Sequence, residues 1–472
     1  MSEAAPLPDE LWANLHPQVQ AFILALIEQN RILQERVAHL EAQLQTNSTN
    51  SSKPPSSDPP SVKRSPPKPP SRKRQGGQPG HPRHERVILP PEKVNHFHEC
   101  IPVRCAHCEF SLQGTDPQPV RHQVTELPPI EPIISEYRLH RLTCENCGCS
   151  TEGTLPQGVQ GHFGPRVHAC VALLSGAYRL AVRPVQQLMH DILGVDISTG
   201  MIAKSRALTG SICEPIITEL HNYARTQPAN VDETSLRQKN DRHWLWVMVT
   251  SFATLFFHCP TRSAREVRMI LGEDRGAIIT SDRFKSYDFL SIVRRQICWA
   301  HVRRDFQAMI DRKNAGSEIG KELMELSDNV FDHWHMVRDG TMSRRAFQLR
   351  VRRWRRELRR ILSRGKGCVC AKTSGCCREL RKVQSGLWTF AEHEGIEPTN
   401  NAAEQALRHA VQWRKTSYGT MSESGSRFVE RVLSIVATCR QQERNVWEFL
   451  TKCWTSHLRN QQRPSLLPSV QN

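Results

Sequence analysis

The amino-acid sequence predicts a multidomain α/β protein in which a mixed core of helices and strands follows several smaller modules. Three observations support this prediction: a seven-residue apolar repeat near the start, two pairs of closely spaced cysteines, and short apolar strands that alternate with helical stretches after residue 228. At 472 residues the chain is long enough for several domains and at least one sizeable hydrophobic core.

The composition restricts the partners and the location. The formal charge is +17 and the isoelectric point is about 9.4. This excess of Lys and Arg indicates a polyanionic partner, most simply nucleic acid, although solubility alone is another explanation. Hydrophobic residues make up 38% of the sequence, and no apolar run approaches the roughly 20 residues of a membrane helix. The first ten residues are polar, unlike a signal peptide, so we expect a cytoplasmic protein without membrane association.

Residues 19–46 carry a heptad repeat. β-Branched residues prevail at its first seam position and Leu at its second, which favours a parallel coiled coil of two helices. A polar Asn in the seam fixes the register of the two helices. We therefore predict that residues 1–46 form a coiled-coil dimerisation helix; packing of this helix on its own chain is the alternative. The seam residues are Ile23, Asn30, Val37 and Leu44 at one position and Leu26, Leu33 and Leu40 at the other.

Residues 47–95 form a basic segment rich in Pro and Ser, which we predict to be a tether. Between Lys53 and Arg86 there are nine Lys and Arg residues against two acidic residues. Such a segment cannot bury a hydrophobic core. The cluster Arg72, Lys73 and Arg74 is a candidate DNA contact, along a phosphate backbone or in a minor groove, and a solvated linker explains it equally well.

Two C-x-x-C pairs predict a metal site. Each pair can give two thiolates to one tetrahedral zinc, so residues 96–152 are predicted to be a zinc-binding module that resembles a zinc ribbon, with strand-like stretches between Val124 and Tyr137. Four thiolates would leave no coordination position open for chemistry, which makes this Zn²⁺ structural. Cys100 and Cys149 are nearby thiols that could substitute. The four predicted ligands are Cys105, Cys108, Cys144 and Cys147.

A second group of cysteines lies further along the chain. Its tight spacing is compatible with another metal site or with a set of reduced thiols in a loop, and the sequence leaves this open. The residues are Cys368, Cys370, Cys376 and Cys377.

Residues 160–225 are predicted to be helical. A helix, a short turn at Gly194 and a second helix capped by Ser198 resemble a helix-turn-helix. In that arrangement Lys204 and Arg206 on the second helix would face DNA. A plain helical packing domain is the alternative.

Short strands begin near residue 228. We predict strands at 229–236, 244–251, 254–258 and 277–281, with a helix at 262–271 before the last of them. Asp232 lies on the first strand and Asp282 follows the fourth. This order is that of an RNase H-like fold, in which the two strands are parallel neighbours and the two carboxylates can converge.

Glu404 completes a candidate set of three acids. It lies on a predicted helix with Asn401 as the N-cap, from which it can join Asp232 and Asp282. Each acid has a structural explanation of its own: Glu404 stands at a capping-box position, and Asp282 could be an ordinary turn residue. Their combination in a basic protein favours a site for hard divalent cations.

Several longer motifs carry a family resemblance. The most specific blocks are Cys298-Trp299-Ala300-His301-Val302-Arg303-Arg304-Asp305-Phe306, Thr399-Asn400-Asn401-Ala402-Ala403-Glu404, Trp413-Arg414-Lys415 and Tyr418-Gly419. With these motifs the chain resembles, nearly end to end, transposases of the insertion sequence 66 family, which have a DDE catalytic core.

The resemblance implies a DNA transposase that binds the terminal inverted repeats of its element and carries out Mg-dependent strand cleavage and transfer into target DNA. Asp232, Asp282 and Glu404 would bind two Mg²⁺, with Mn²⁺ as a possible substitute. His301 and Arg408 are accessory candidates. It also implies a bacterial, nucleoid-associated protein with small companion proteins of the same element. The family usually has Arg after the Glu, where this chain has Gln405, so a phosphate contact or salt bridge there is in doubt.

The 122 positions from Asp282 to Glu404 exceed what a compact core requires. We therefore predict a core at 228–440 with a helical insertion at about 307–390, followed by a C-terminal helix and tail at 441–472. Residues 343–364 combine one apolar stripe with ten Arg on the other faces. Arg352, Arg353 and Arg356 are candidates for contact with a DNA backbone, and a solvated helix surface is the alternative.

Two further functions remain open besides a cut-and-join enzyme. One is a catalytically inactive DNA-binding relic or regulator, and the other is an RNase H-fold nuclease without strand transfer. The presence of all three acids favours the enzyme.

Overall fold

The computed structural model describes residues 11–12, 14–45, 87–273, 276–417 and 419–468. Arg72, Lys73 and Arg74 lie outside these described residues. Among the described residues, no helix is both long and apolar enough to cross a membrane.

The α-helices in chain order are α1 (Pro17–Gln45), α2 (Pro165–Gly176), α3 (Val182–Asp191), α4 (Thr199–Ala224), α5 (Ala264–Leu271), α6 (Trp299–Asp311), α7 (Gly316–Arg338), α8 (Arg344–Gly365), α9 (Ala371–Val383), α10 (Thr389–Glu392), α11 (Asn401–Ser417), α12 (Glu423–Gln441) and α13 (Val446–Leu458).

The strands form a small hairpin and one mixed sheet of five strands. In the sheet the order is β5-β4-β3-β6-β7; β3 is antiparallel to β4, β4 to β5, and β3, β6 and β7 are parallel. This mixed α/β arrangement follows the predicted order of elements and is consistent with an RNase H-like core. The strands are β1 (Arg141–Thr143), β2 (Ser150–Glu152), β3 (Ala229–Gln238), β4 (Asp241–Val249), β5 (Thr254–Cys259), β6 (Ile279–Ser281) and β7 (Arg295–Ile297).

Helix α12 covers the outer edge of the sheet. All six residues of β5 are buried, so the backbone N–H groups on its free edge need partners. Three polar side chains one turn apart on α12 accept from these groups: Thr438 from Thr254 at 3.1 Å, Ser434 from Phe256 at 2.8 Å and Glu430 from His258 at 3.0 Å. The helix therefore continues the hydrogen bonding of the sheet with its side chains.

Helix α11 packs on β3 through Ala403, Leu407 and Ala410, which are all buried. Its last turn is fixed by Arg414, whose guanidinium donates to the carbonyl of Ser235 on β3 at 2.8 Å. Just after the helix, Gly419 has a φ of +119°, and a Cβ there would collide with the carbonyl of Arg237. Glycine at this position therefore lets the chain approach β3 closely.

The predicted insertion region contains α7, α8, α9 and α10, which share a second hydrophobic cluster. All five apolar residues of the predicted stripe on α8 are buried in it, so the exposed face of this helix is the arginine-rich one. The stripe consists of Phe347, Val351, Trp354, Leu358 and Ile361.

Helix α1 leaves its apolar seam uncovered. Leu26, Leu33, Val37 and Leu40 are each about half exposed, so no described part of the chain covers them. Within the described residues, the seam of α1 therefore does not pack on the chain's own core. The side chain of Leu44 lies outside them, and self-association of α1 stays a prediction.

The cysteine region differs from the predicted ribbon. The stretch between Val124 and Tyr137 was expected to contain strands, but it forms none, and the hairpin consists only of β1 and β2. Val124 is 81% exposed and Ile133 is 97% exposed. The apolar pattern alone was misleading, because a strand needs a neighbour that supplies hydrogen bonds and covers its apolar face.

Candidate active site

The parallel pairing of β3 and β6 places two of the acids. Asn230 on β3 is the register partner of Thr280 on β6, and Asp232 and Asp282 each lie two residues further along. Because side chains alternate along a strand, this equal offset places both carboxylates at the same level of the sheet. Each takes one local backbone hydrogen bond of 2.9 Å, Asp232 from the N–H of Glu233 and Asp282 from that of Phe284.

Glu404 reaches the same place from the first turn of α11. The helix begins at Asn401 itself, so the prediction of Asn401 as the N-cap was wrong by one residue. The capping-box alternative does not occur at this N-cap, since the N–H of Asn400 donates to the Cys298 sulfur. Glu404 Oε1 is buried with no hydrogen-bond partner among the described residues. It lies 3.6 Å from His301 Nδ1 and 3.9 Å from an Arg304 guanidinium nitrogen.

Asn400 ties the start of α11 to the strand that carries Asp232. Its side chain is fully buried, donates to the carbonyl of Val231 at 2.9 Å and accepts from the Asn230 amide at 3.1 Å. The residue before Asp232 and the start of the Glu404 helix are thus joined directly. We did not assign Asn400 a role from the sequence, although it stands within a quoted motif.

Cys298 provides a second tie. Its backbone N–H donates to the carbonyl of Ser281 at 2.8 Å, directly before Asp282. Its sulfur accepts from the backbone N–H of Asn400 at 3.2 Å, and burial raises the pKa of this thiol to about 11. The segment before α6 therefore links the end of β6 to the start of α11.

The three acids influence one another electrostatically. The pKa of Asp232 is raised well above its usual range, first by burial, then by the charge of Glu233, and also by Asp282 and Glu404. The three sequence-predicted acids thus form one electrostatic cluster, but their oxygens do not all lie within 4.8 Å of one another among the described residues. Carboxylate oxygens are the ligands that Mg²⁺ prefers, so the donor atoms of these residues fit a divalent cation in chemical type.

Glu233 is a fourth carboxylate at the site that the sequence argument did not single out. Its side chain is only 1% exposed, pairs with Arg262 and accepts from the Tyr287 hydroxyl at 3.2 Å. Burial first, and then Asp282, raise its pKa to about 7. Because neighbours in a strand point to opposite faces, Glu233 anchors β3 from behind while Asp232 faces α11.

His301 and Arg408 differ in their relation to the acids. His301, in the first turn of α6, is about three-quarters buried, and burial followed by the charge of Arg304 lowers its pKa. This shift favours the neutral form of the imidazole. Arg408 lies one turn after Glu404 and is exposed, as is Gln405, and neither joins the cluster.

The two cysteine pairs have the same local geometry. Within the first pair, the N–H of Glu109 donates to the carbonyl of Cys105 at 2.9 Å, and within the second, that of Gly148 donates to Cys144 at 2.8 Å. The N–H groups of His107 and then Cys108 lower the pKa of Cys105, and those of Cys147 and then Asn146 lower that of Cys144. Such turns favour thiolates, so each pair fits half of a zinc site.

The structure does not bring the two pairs together. Among the described residues, the group of three potential ligand atoms within 4.8 Å of one another is Cys298, His301 and Glu404. A site formed by all four predicted cysteines would require the two turns to approach each other. The zinc site therefore stays a prediction.

The second cysteine group is also dispersed. Cys376 and Cys377 lie within α9 rather than in a loop, and Cys370 directly precedes that helix. Cys376 contacts the Arg283 guanidinium at 4.0 Å, whereas Cys377 is buried. The hydroxyl and backbone of Thr373 lower the pKa of Cys370 to about 7. These sulfurs lie in different environments, and they do not form one metal site among the described residues.

The candidate DNA contacts divide into exposed and packed residues. On α8, Arg352, Arg353 and Arg356 are all exposed. Lys204 on α4 is exposed as well, but Arg206 was wrongly expected to face DNA. Its guanidinium lies 4.9 Å from the centre of the Phe428 ring, and burial lowers its pKa.

The helix-turn-helix candidate has the expected local shape. Gly194 turns the chain with a φ of +60°, and the Ser198 hydroxyl caps α4 by accepting from the N–H of Met201 at 3.2 Å. A groove of about 610 Å³ runs beside this turn, lined by polar side chains that include Arg183, Gln186 and His190. These polar groups are suited to contacts with phosphates or base edges.

Comparison with known proteins adds two family matches. The model of a family described as "Transposase IS66 family" matches residues 160–427, which is more than half of the chain and includes all three acids. A second model, described as a family of unknown function (DUF6444), matches residues 1–87.

A curated relative is similar over most of its length. It is "Uncharacterized protein y4hP" from Sinorhizobium fredii (strain NBRC 101917 / NGR234), 22% identical over 399 residues. The match covers 75% of this chain and 69% of the relative.

Proposed function

Because the chain belongs to the IS66 transposase family, we propose that it binds the ends of its own mobile element, cuts the DNA strands there and joins them to target DNA. The two steps are a hydrolysis and a transesterification of phosphodiester bonds. Family membership implies DNA transposition, and the catalytic steps and the residues that perform them are our proposal.

The parallel register of β3 and β6, which sets Asp232 and Asp282 at one level, supports this proposal most directly, and Glu404 is near enough to help raise the pKa of Asp232. Buried like charges are unfavourable unless a cation compensates them. We propose that these three residues hold two Mg²⁺, for which Mn²⁺ can substitute. When bound, such cations activate a water or a 3′-hydroxyl and stabilise the charge on the leaving oxygen.

The contribution of the chain itself is positioning. The register of β3 and β6 sets Asp232 and Asp282 at one level, and the buried Asn400 amide holds the start of α11 against β3. No side chain then has to act as a general base. His301 and the positively charged Arg304 lie beside Glu404, where Arg304 can face a phosphate.

The rest of the chain would bind and organise DNA. The exposed arginines of α8 provide a phosphate-binding face, and the turn between α3 and α4 provides a site for contact with the element ends. We also propose that Cys105, Cys108, Cys144 and Cys147 hold one structural Zn²⁺, and that α1 pairs two copies of the chain.

The test uses full-length protein, labelled terminal-repeat DNA, a target plasmid and Mg²⁺. We expect cut ends and joined products from the wild type. Asp282→Asn should abolish both while it still binds the DNA. The matched control is Asp332→Asn, which makes the same change on the exposed face of α7 and should retain both products.

The remaining outcomes identify the alternatives. Specific end binding without cleavage, unchanged by Asp282→Asn, would mean an inactive DNA-binding relic or regulator. Cut DNA without joined product would mean a nuclease.

A further inference from the structure

Two ligand atoms at the Glu404 end of the site face each other without a hydrogen bond, and the Arg304 guanidinium lies 3.9 Å from Glu404 Oε1. His301 Nδ1 and Glu404 Oε1 are both buried, and neither makes a hydrogen bond to any described residue. They lie 3.6 Å apart. Buried polar atoms are normally satisfied, so this pair requires an explanation outside the protein's own hydrogen bonds.

From this pair we infer that His301 is a metal ligand beside Glu404, and that it makes this end of the active site prefer Mn²⁺ to Mg²⁺. The inference rests on the proposed function only in taking Glu404 as a metal ligand. It adds a nitrogen donor to a site otherwise made of carboxylates.

The separation of the two atoms suits a shared cation. Two ligand atoms each about 2.1 Å from one ion lie roughly 3.0–3.4 Å apart at bond angles of about 90–110°. A shift of a few tenths of an ångström from 3.6 Å satisfies this condition. Nδ1 also lacks a competing partner, so one lone pair can point at the ion if the proton is on Nε2.

The backbone fixes His301 as firmly as it fixes Glu404. The N–H of Cys298 bonds to the carbonyl of Ser281 at 2.8 Å, and that of Trp299 bonds to the carbonyl of Pro398 at 3.0 Å. These bonds place the first turn of α6 between the end of β6 and the start of α11. His301 therefore occupies a prepared position near Asp282 and Glu404.

Cys298 is not needed as a third ligand. Its sulfur lies within 4.8 Å of the other two ligand atoms, but it already accepts from the Asn400 N–H at 3.2 Å. That bond supports the start of α11. We therefore assign the pair of His301 and Glu404, with one nitrogen and one oxygen.

A mixed pair of this kind should discriminate between cations. Mg²⁺ strongly prefers oxygen ligands and near-ideal octahedral geometry, whereas divalent transition metals accept imidazole nitrogen. A carboxylate beside an imidazole thus weakens the competitive position of Mg²⁺ relative to Mn²⁺. The sequence signal is a His three residues after the Cys at the start of α6.

The test measures metal binding without DNA. Free Mn²⁺ is followed by electron paramagnetic resonance during titration of the full-length protein as purified, without added zinc, and Mg²⁺ is added as a competitor. His301→Leu should weaken Mn²⁺ binding at one site by at least about tenfold, with less than about threefold change for Mg²⁺. His335→Leu, an exposed His on α7, is the matched control and should change neither.

One further variant sharpens the assignment. His301→Asn can place an amide oxygen near the position of Nδ1, so it should recover binding but lose the preference for Mn²⁺. Circular dichroism of each variant confirms that the fold is intact.

Two results would overturn the inference. Equal loss of Mn²⁺ and Mg²⁺ binding in His301→Leu would mean that His301 only positions Glu404 by a hydrogen bond, and unchanged binding of both would mean no role. Failure of the proposed function looks different: the protein would show the His301-dependent Mn²⁺ site but would not cut DNA.

Discussion

The sheet domain and the cysteine region place their polar ligands in opposite ways. In the sheet domain, Asp232, Asp282 and Glu404 are held by strand register, the Asn400 clamp and a large hydrophobic core. In residues 87–159, almost every residue is exposed and β1 and β2 contain three residues each. The cysteines there lie in local turns beside short strand pairings, without a buried core.

This difference indicates when each region needs its metal. In the sheet domain, packing places the acidic residues. We therefore expect the cation to be required for activity and not for folding. The cysteine region buries too little apolar surface to hold its two turns together, so zinc binding and folding should be one event there. The predictions below test this contrast.

The largest expected effect is on catalysis alone. Glu404→Gln keeps the side-chain shape but removes the charge, so strand cleavage should fall by about a thousandfold or more in a single-turnover assay. The melting temperature should stay within a few degrees of wild type, because packing places this residue. Glu325→Gln, exposed on α7, should leave cleavage unchanged. Unfolding of the core in Glu404→Gln would break the contrast.

Zinc removal should affect only the cysteine region. Chelation is expected to increase hydrogen exchange throughout residues 87–159 and to weaken binding to the element ends by roughly 10–100-fold. Exchange in β3, β4 and α11 should remain slow. Metal analysis that finds no zinc in the purified protein, or simultaneous unfolding of the sheet, would contradict the account.

The Asn400 clamp should matter more than its neighbour. Asn400→Ala removes the bond to the Val231 carbonyl and leaves buried polar groups unpaired, so it should lower the free energy of unfolding by roughly 1–3 kcal/mol and reduce cleavage. Asn401→Ala changes an exposed Asn at the next position and serves as the control. Equal effects in denaturant titrations would show that the clamp does not position α11.

The smallest expected effect is on the pH dependence of the stability of the metal-free protein. The pKa of Asp232 is raised in the folded state, so that state keeps its proton to higher pH than the unfolded chain does. Stability without metal should therefore fall as pH rises from the unfolded pKa through the raised one. Asp232→Asn removes this fall and should stabilise the metal-free protein by about 1 kcal/mol at pH 8, less in acid. A destabilised variant at pH 8 would show that burial and repulsion of the charged Asp232 do not destabilise the metal-free fold.

Local sequence patterns were sufficient for much of the core. The alternation of short apolar strands and one helix predicted four of the five strands in chain order, because each of these elements has its own periodicity. Strand β7 (Arg295–Ile297) was missed, since it is only three residues long. The stripe from Phe347 to Ile361 predicted the buried face of α8 for the same reason. Once Asp232 and Asp282 were placed on parallel neighbours, their approach followed from the strand register.

Features that depend on distant partners were not predictable in this way. The side chains of Glu430, Ser434 and Thr438 looked like ordinary polar helix residues, yet they complete the edge of β5. Arg206 was assigned to the wrong face of α4, since its partner Phe428 lies more than two hundred residues away. Such contacts are set by tertiary packing, which local periodicity does not encode.

The decisive measurement is the anomalous diffraction of manganese in a crystal of the full-length protein soaked in MnCl₂. We expect two anomalous peaks between Asp232, Asp282 and Glu404, with the backbone of the surrounding core unchanged from the metal-free crystal. Absence of manganese from these three residues, or a rearrangement of β3, β6 or α11 on soaking, would show that packing does not build the site.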